Sequence, residues 1–410
     1  MNMENEVDIA CGMDVHKNNV VVTVVKRKVK EPLLTGLYAT SLSSLLQLFA
    51  RLKELGVTRI AMESTGPYWI PIYRMFHPAF EVHVGNARRM KEHSGKKTDK
   101  RDSKWIAYLA LNGEVEPSHV PKDEFLDLRE IERVMKHLVE IQSGLKNKLR
   151  HEMQLCKLDA IECNGKLSKS LIVLLDGLSE GKTIEASISG IKHKRMREQF
   201  TRQLSEIAGE LSKPLLAVIG ALVSSIKALN EQIEHLEEFL CNALEPHESE
   251  VERIASVPGI GTSTASTILC EVGEFKDFHS ADAFCCWCGM VPSVSQTNGK
   301  TYYGRLLHGN RYIKGKIIQC AWVAVTRCGE NQFRSYFNEM VKRGKPKCKA
   351  IVAVAHKMLK VIYHLMIEKE MYSGTRHLQT RIKAKKRNPR VKNADPLNLL
   401  LDGFKFVSQT

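Results

Sequence analysis

The sequence predicts three successive pieces: an α/β domain on a mixed sheet, a central coiled coil, and a mainly α-helical C-terminal domain. Three observations carry this reading. Short β-branched runs alternate with helical patterns over the first 120 residues. Leu215, Ile219, Leu222, Ile226, Leu229, Ile233, Leu236 and Leu240 recur in steps of four and three, a sustained heptad seam. From Glu250 onward helical periodicity resumes after a glycine turn. The boundaries fall at 1–120, 121–249 and 250–372, with a basic tail over 373–410.

The N-terminal elements follow in order. DIACGMD (8–14) and VVVTVVK (20–26) read as strands joined by the polar turn HKNN, and a third strand fits 33–39. Leu45, Leu48 and Phe49 place a helix over Ser41–Leu55. RIAMES (59–64) is a fourth strand, GPYWIPIYRMF a helix with Pro67 near its start, and EVHVG (81–85) a fifth strand. A basic loop over 88–101 then leads into a helix opened by Asp99 or Asp102. The order βββ-α-β-α-β-α is that of a ribonuclease H-like mixed sheet.

A long amphipathic helix spans Leu128–Met153, with Leu128, Ile131, Met135, Leu138, Leu145 and Leu149 on one stripe. It pairs with the heptad helix either as an antiparallel hairpin or between subunits, so a homo-oligomer, dimer or tetramer, is expected. A small helical insertion fills 156–205. In the C-terminal domain VPGIG (257–261) precedes an apolar helix. A glycine-rich, hydroxyl-rich loop covers 292–312, and helices cover 313–327 and 349–367.

Composition narrows the partners. The chain has 410 residues, 61 Lys and Arg against 46 Asp and Glu, a formal net charge of +15 and a pI near 9.2. The basic residues are clustered, which favours a polyanionic partner, nucleic acid above all. The 11 cysteines are odd in number and scattered, and Cys270 and Cys320 lie in apolar context. They read as reduced thiols of a cytoplasmic protein. Cys285 and Cys288 form a lone C-x-x-C with no second pair at zinc-site spacing, so packing in a helix is expected. The start MNMENEVDIA has no basic region followed by an apolar core. No apolar run is taken to reach the roughly 18 residues of a membrane span, so no membrane association is expected.

Four acids carry the chemistry. Asp14 ends the first strand, Glu63 ends the fourth, and Asp99 and Asp102 are three apart at a helix start. Carboxylates gathered at one sheet edge repel one another unless a cation neutralises them. Two Mg²⁺ ions roughly 3.5–4 Å apart would do so, and would stabilise both attacking and leaving oxygens in phosphodiester displacement. Beside these acids stand Arg88, Arg89, Lys96, Lys97, Lys100 and Arg101, suited to phosphate. Gly259 and Gly261 in VPGIG resemble the hairpin of helix-hairpin-helix DNA-binding units, where amides face a phosphate. Lys300 and Arg305 lie in the 292–312 loop among hydroxyls and aromatics that suit nucleic acid.

Together these motifs resemble the DEDD transposases of insertion sequences, the bridge-RNA-guided recombinases that include related DNA invertases. The residues that carry the resemblance are GMDVHK, AMESTGPYW and KKTDKRDSKWIA in the first half. In the second half they are SVPGIGTSTA, CGMVPSVSQTNGKTYYGRLLHGNRYIK and AIVAVAHKMLKVIYHL. The resemblance covers nearly the whole chain. It implies a RuvC-like N-terminal domain, a coiled coil and a C-terminal transposase domain. It implies metal-bound acids and a serine that attacks DNA to give a covalent intermediate. It further implies a structured guide RNA bridging donor and target DNA, and a Holliday junction-like stage in a multimer. The family's serine follows the loop proline by five positions. Counting from Pro292 the present chain has Thr297 there, while Ser295 lies two residues earlier. A threonine hydroxyl is a nucleophile restricted by β-branching. Two other functions fit this departure: a metal-dependent junction nuclease with no covalent step, and an inactivated nucleic-acid-binding relative.

Overall fold

The structure is a computed structural model, and it describes residues 7–64, 66–85, 90, 99–155, 168–205, 212–297 and 300–374. The chain forms two compact units that do not follow chain order. One holds the residues up to Asp123 with Glu274–Trp287; the other holds Glu124–Gly273 and Cys288–Tyr372.

In the first unit five strands form one sheet: β1 (Ile9–Val15), β2 (Asn19–Lys26), β3 (Leu34–Ala39), β4 (Arg59–Glu63) and β5 (Glu81–Gly85). Their spatial order is β3-β2-β1-β4-β5. β1 and β2, and β2 and β3, pair antiparallel; β1 and β4, and β4 and β5, pair parallel. The apolar runs in β1, β2 and β4 arise because both faces of the sheet are covered. Helices α1 (Leu42–Glu54) and α2 (Trp69–Phe76) cover one face, where Leu45, Leu48, Leu52, Ile72 and Phe76 pack on Cys11, Met13, Val22, Ile60 and Met62. Helix α3 (Asp99–Asn112) covers the other, with Ile106, Ala107 and Ala110 against Ala10, Val25 and Ala61.

Two arginines fix the direction of α3. Arg27 donates to the Leu111 carbonyl at 2.8 Å, and Arg59 donates to the Ala110 carbonyl at 3.2 Å. Cations on the last free carbonyls of a helix complement its dipole. Arg59, almost fully buried, is itself held by a two-pronged pair with Glu81 at 2.9 and 3.1 Å. Although partial burial opposes its charge, Glu81 is held below the usual carboxylate range by the Arg59 hydrogen bonds. The C-terminus of α3 is thereby pinned at the end of β2 and the start of β4, and its N-terminal turn runs toward the opposite sheet edge.

Gly12 explains how close α3 comes. A Cβ there would lie 2.2 Å from the Ser103 carbonyl oxygen and 2.3 Å from the Ala107 nitrogen, both backbone atoms. Ser103 then hydrogen-bonds Thr23 through the hydroxyls at 2.8 Å, with both side chains buried. Gly12→Ala is therefore expected to destabilise this unit by about 3 kcal/mol or more, at the top of the overpacking range, because backbone must shift. Thermal denaturation of the variant against wild type checks this.

The second unit contains the long helices α4 (Asp123–Leu155, its first residue belonging to the first unit) and α8 (Lys213–Ala243). They run antiparallel. The rings of Phe125 and His247 lie 4.9 Å apart, Gln142 donates to Asn230 at 2.5 Å, and Leu149 and Met153 share a core with Ile219, Val223 and Ile226. Between them α5 (Lys169–Ser179), α6 (Ile184–Ser189) and α7 (Lys194–Ser205) form the helical insertion. Its Leu171, Leu174, Leu175, Leu178 and Phe200 complete that core. The first half of the heptad seam thus packs against the insertion as well as against α4, because one stripe on α8 has two apolar neighbours.

The C-terminal part of this unit has α9 (Glu248–Ala255) and α10 (Thr262–Val272), and later α12 (Arg311–Thr326), α13 (Gln332–Lys342) and α14 (Lys347–Glu368). Helix α11 (Ala281–Trp287) belongs to the first unit and carries Cys285; Cys285 and Cys288 are both buried and outside any disulfide, as are Cys270 and Cys320. Two expectations need correction. The stretch 292–312 is not a loop throughout: β6 (Pro292–Thr297) and β7 (Lys300–Leu306) form an antiparallel hairpin. Two helices, α8 and α14, are long and apolar enough to cross a membrane by length and composition. In α14 the apolar residues Ile351, Val354, Met358, Leu359 and Ile362 are buried in the protein core, which accounts for its hydropathy. The tail from 375 lies outside the described residues.

Candidate active site

The sheet brings two of the four acids to one level. Met13 pairs with Met62 across the parallel β1–β4 ladder, so the next residues, Asp14 and Glu63, stand side by side at the C-terminal strand ends. Successive side chains alternate faces. Ala10, Gly12 and Ala61 meet α3, so the same alternation turns Asp14 and Glu63 toward the α3 face. Asp14 is largely buried, with 15% of its side chain exposed, and its Oδ2 lies 3.3 Å from His16 Nε2.

Helix α3 carries the other two in its first turn. Asp99 is one turn before Ser103 and Asp102 one turn before Ile106, and both later residues face the sheet. The first turn of α3 therefore lies toward the sheet edge that ends in Asp14 and Glu63. Asp102 is half-buried; the Asp99 side chain lies outside the described residues. The positive end of the helix dipole favours negative charge at this edge. Among the described residues no three His, Cys, Asp or Glu side chains are gathered closely enough to hold a metal ion. The donor chemistry nonetheless fits a hard cation, since carboxylate oxygens suit Mg²⁺.

The basic residues divide. Arg88, Arg89, Lys96 and Lys97 lie outside the described residues, and Lys100 is described only as backbone in α3. Arg101 is exposed in the first turn of α3.

In the second unit Thr297 ends β6 and is exposed, opposite Lys300 across the hairpin. The Asn298-Gly299 connection, the Lys300 side chain and the Ser295 side chain lie outside the described residues. Arg305 is exposed on β7. The hairpin's base is tight, for a Cβ at Gly309 would sit 2.2 Å from the Gly289 nitrogen. Gly259 has φ +91°, and a Cβ there would meet the Cys320 carbonyl oxygen at 2.4 Å, so this glycine serves close packing on α12. Gly261 caps α10 and faces open space.

Sequence reading missed a buried polar cluster behind the hairpin. Glu271 of α10 is fully buried and accepts two hydrogen bonds of 2.9 Å from Arg133 and one of 2.6 Å from Asn310. Arg129 donates to the Glu271 carbonyl at 2.6 Å. Burial pulls the Arg129 guanidinium down to a pKa of about 10, against the pull of Glu271. Burial also opposes the Arg133 charge, yet the Glu271 hydrogen bond holds it above its ordinary value. Nearby, burial raises the Glu132 carboxyl, with Lys316 and Thr267 as its partners. Asn310 in turn caps α12 by accepting from the Tyr312 and Ile313 amides at 2.9 and 3.1 Å. The hydrogen-bond partners of Glu271 lie 39 to 142 positions from it in sequence, so no local signal marks them. Glu271→Ala, which strands two arginines, is expected to cost about 3–5 kcal/mol of stability. Chemical denaturation of the variant would measure it.

Comparison with known proteins bears on both units. A DEDD transposase model of the IS110 type, described as a transposase, matches residues 11–157. A second model, for transposases of the IS116/IS110/IS902 family, matches residues 251–338. The chain is 26% identical over 188 residues to a probable family 20 transposase of Pseudomonas aeruginosa, covering 44% of this chain and 55% of that one. It is 34% identical over 119 residues to the transposase for insertion sequence element IS1328 of Yersinia enterocolitica, covering 29% and 35%. Against the transposase for IS1111A of Coxiella burnetii it is 26% identical over 182 residues, covering 44% and 50%. The matched stretches thus span about half the length of these relatives or less. The two models fall on the acid-bearing sheet with α3 and α4, and on the helices and hairpin around Thr297. The chain belongs to the DEDD transposase family of insertion sequences.

Proposed function

We propose that this chain is an RNA-guided recombinase that cleaves and exchanges strands of insertion-sequence DNA in a Mg²⁺-dependent reaction. The observation that carries the reading is the matched register of Asp14 and Glu63, with the first turn of α3 toward the same edge. The strand order β3-β2-β1-β4-β5 supports a ribonuclease H-like, RuvC-like sheet. Asp14, Glu63, Asp99 and Asp102 would hold two Mg²⁺, which when bound supply Lewis-acid stabilisation of phosphate oxygens.

The chain's own residues do the rest. The Thr297 hydroxyl oxygen bonds to phosphorus and one bridging phosphorus–oxygen bond to the sugar breaks. The hydroxyl proton ends on the departing sugar oxygen, leaving a covalent protein–DNA intermediate. Its exposed place at the end of β6 leaves it open to a DNA strand. Arg88, Arg89, Lys96, Lys97, Lys100 and Arg101 serve phosphate binding, as do Lys300 and Arg305 on the hairpin. The partners are donor and target DNA, a structured guide RNA and further copies of the chain. Exposed apolar residues Val134, Val139 and Ile141 on α4 and Phe239 on α8 support self-association as a dimer or tetramer. Buried cysteines outside any disulfide suit a reducing cytoplasm.

A recombination assay with donor, target and the RNA transcribed beside the gene tests the reading. Strand exchange is expected, and inactivity even of Thr297→Ser would overturn it. The threonine in place of serine favours a second reading, a metal-dependent junction nuclease without covalent chemistry. In that case Thr297→Ala leaves cleavage intact while Asp102→Ala abolishes it.

A further inference from the structure

Tyr312, in the first turn of α12, is crowded by cations. The charges of Lys136, Arg133 and Arg311 lie 4.6, 4.7 and 4.9 Å from the centre of its ring. The first two come from α4, three positions apart on one helix face. The third is the residue before the tyrosine, and it also donates to the Tyr312 hydroxyl at 2.8 Å. Sharing one ring, no two of these charges are more than about 10 Å apart, one Debye length at 0.1 M salt, so solvent ions do not separate them.

Only part of that charge is answered locally. Arg133 is neutralised by buried Glu271. Lys136 reaches Glu140 at 3.9 Å, across side chains 35% and 63% exposed, a pairing of little strength. Arg311 is exposed on the surface. Lys314 joins one turn later, with its Nζ 3.0 Å from the Leu307 carbonyl oxygen. Aromatic and cationic groups held together in this way suit the backbone of a nucleic acid, which places one negative charge every ~3.4 Å along a strand.

The cluster is also held rigidly. Asn310 caps the helix turn that carries Arg311 and Tyr312, and is itself tied to Glu271. The same turn begins four residues after the end of β7, the second strand of the Thr297 hairpin. We propose that Arg311 and Lys136, gathered around Tyr312, together with Lys314 one turn along from Arg311, form a phosphodiester clamp that grips the DNA strand presented to the β6–β7 hairpin. The choice of DNA as occupant rests on the reading of Thr297 as a nucleophile toward DNA.

The test is the affinity of the full-length protein for a duplex DNA oligonucleotide across a salt series. Wild type is compared with Arg311→Gln, Lys136→Gln and the double variant. Lys182→Gln serves as a control, because that lysine already pairs with Glu180 at 2.6 Å. Each clamp variant should weaken binding about tenfold near 0.1 M salt. Each should also lower the slope of log affinity against log salt by about 0.9 per lost phosphate contact. Thermal midpoints should match wild type, since both side chains reach solvent. A double variant with the wild-type slope would overturn the clamp, as would a loss no larger than that of Lys182→Gln. A change seen only with an RNA duplex of the same sequence would overturn the assignment to DNA. Thr297→Ala should keep the full slope; if Thr297 forms no adduct while the clamp variants still lose slope, the nucleophile reading fails and the clamp stands.

Discussion

Asp14→Asn is expected to reduce DNA cleavage by roughly 10³-fold or more, about 4 kcal/mol of transition-state stabilisation, while DNA binding persists. The substitution keeps size and removes one charge from the sheet edge. Asp14 ends β1 beside Glu63, and α3 approaches the same strand so closely that Gly12 has no room for a Cβ. A shared metal role predicts that Glu63→Gln and Asp102→Asn behave alike, and that double variants lose no more than single ones, as residues acting as a unit do. Titrating Mg²⁺ against cleavage rate separates this from misfolding. A folded variant whose rate returns at high metal would place the lost charge in metal binding. Activity near wild type for Asp14→Asn would show that the edge does not do the chemistry.

Thr297→Ala is expected to remove the covalent protein–DNA adduct entirely and recombination with it, without change in stability, because Thr297 is exposed at the end of β6. Thr297→Ser should be at least as active as wild type. Serine keeps the hydroxyl and sheds the methyl that limits the rotamer and crowds approach to phosphorus. Denaturing electrophoresis of the protein with labelled DNA measures the adduct. Persistent adduct in Thr297→Ala would move the nucleophile elsewhere, and Ser295, two positions earlier, is the first place to look.

Much of the first unit was legible in the sequence because its sheet is covered on both faces. Continuous Val, Ile and Met runs mark β1, β2 and β4, and their order fixed the ends at which Asp14 and Glu63 fall. The hairpin is hard to see in the sequence, since β6 and β7 are rich in Ser, Thr, Gln and Tyr and carry no apolar run. Its one sharp signal is Asn298-Gly299 between them, the favoured two-residue hairpin connection. Helix α13 has no long apolar stripe to mark it in the sequence, although Asn331 caps it through hydrogen bonds from the Phe333 and Arg334 amides. The heptad seam left the partner of α8 open, because periodicity reports which residues seek burial and not against what. Here α4 and the insertion share that role. The cluster of Arg129, Arg133, Glu271 and Tyr312 was invisible for a related reason. Ionic and cation–π partners meet through tertiary packing, and nothing in the local pattern of α4 distinguishes Arg133 from a solvated arginine.

The most direct measurement traps the reaction of full-length protein with insertion-sequence DNA and its flanking transcript in Mg²⁺, then maps the DNA-linked residue by mass spectrometry. The expected result is a phosphodiester adduct on Thr297 that disappears without divalent metal and in Asp14→Asn. Metal-independent adduct, attachment at any other residue, or strand exchange with no adduct at all would contradict it.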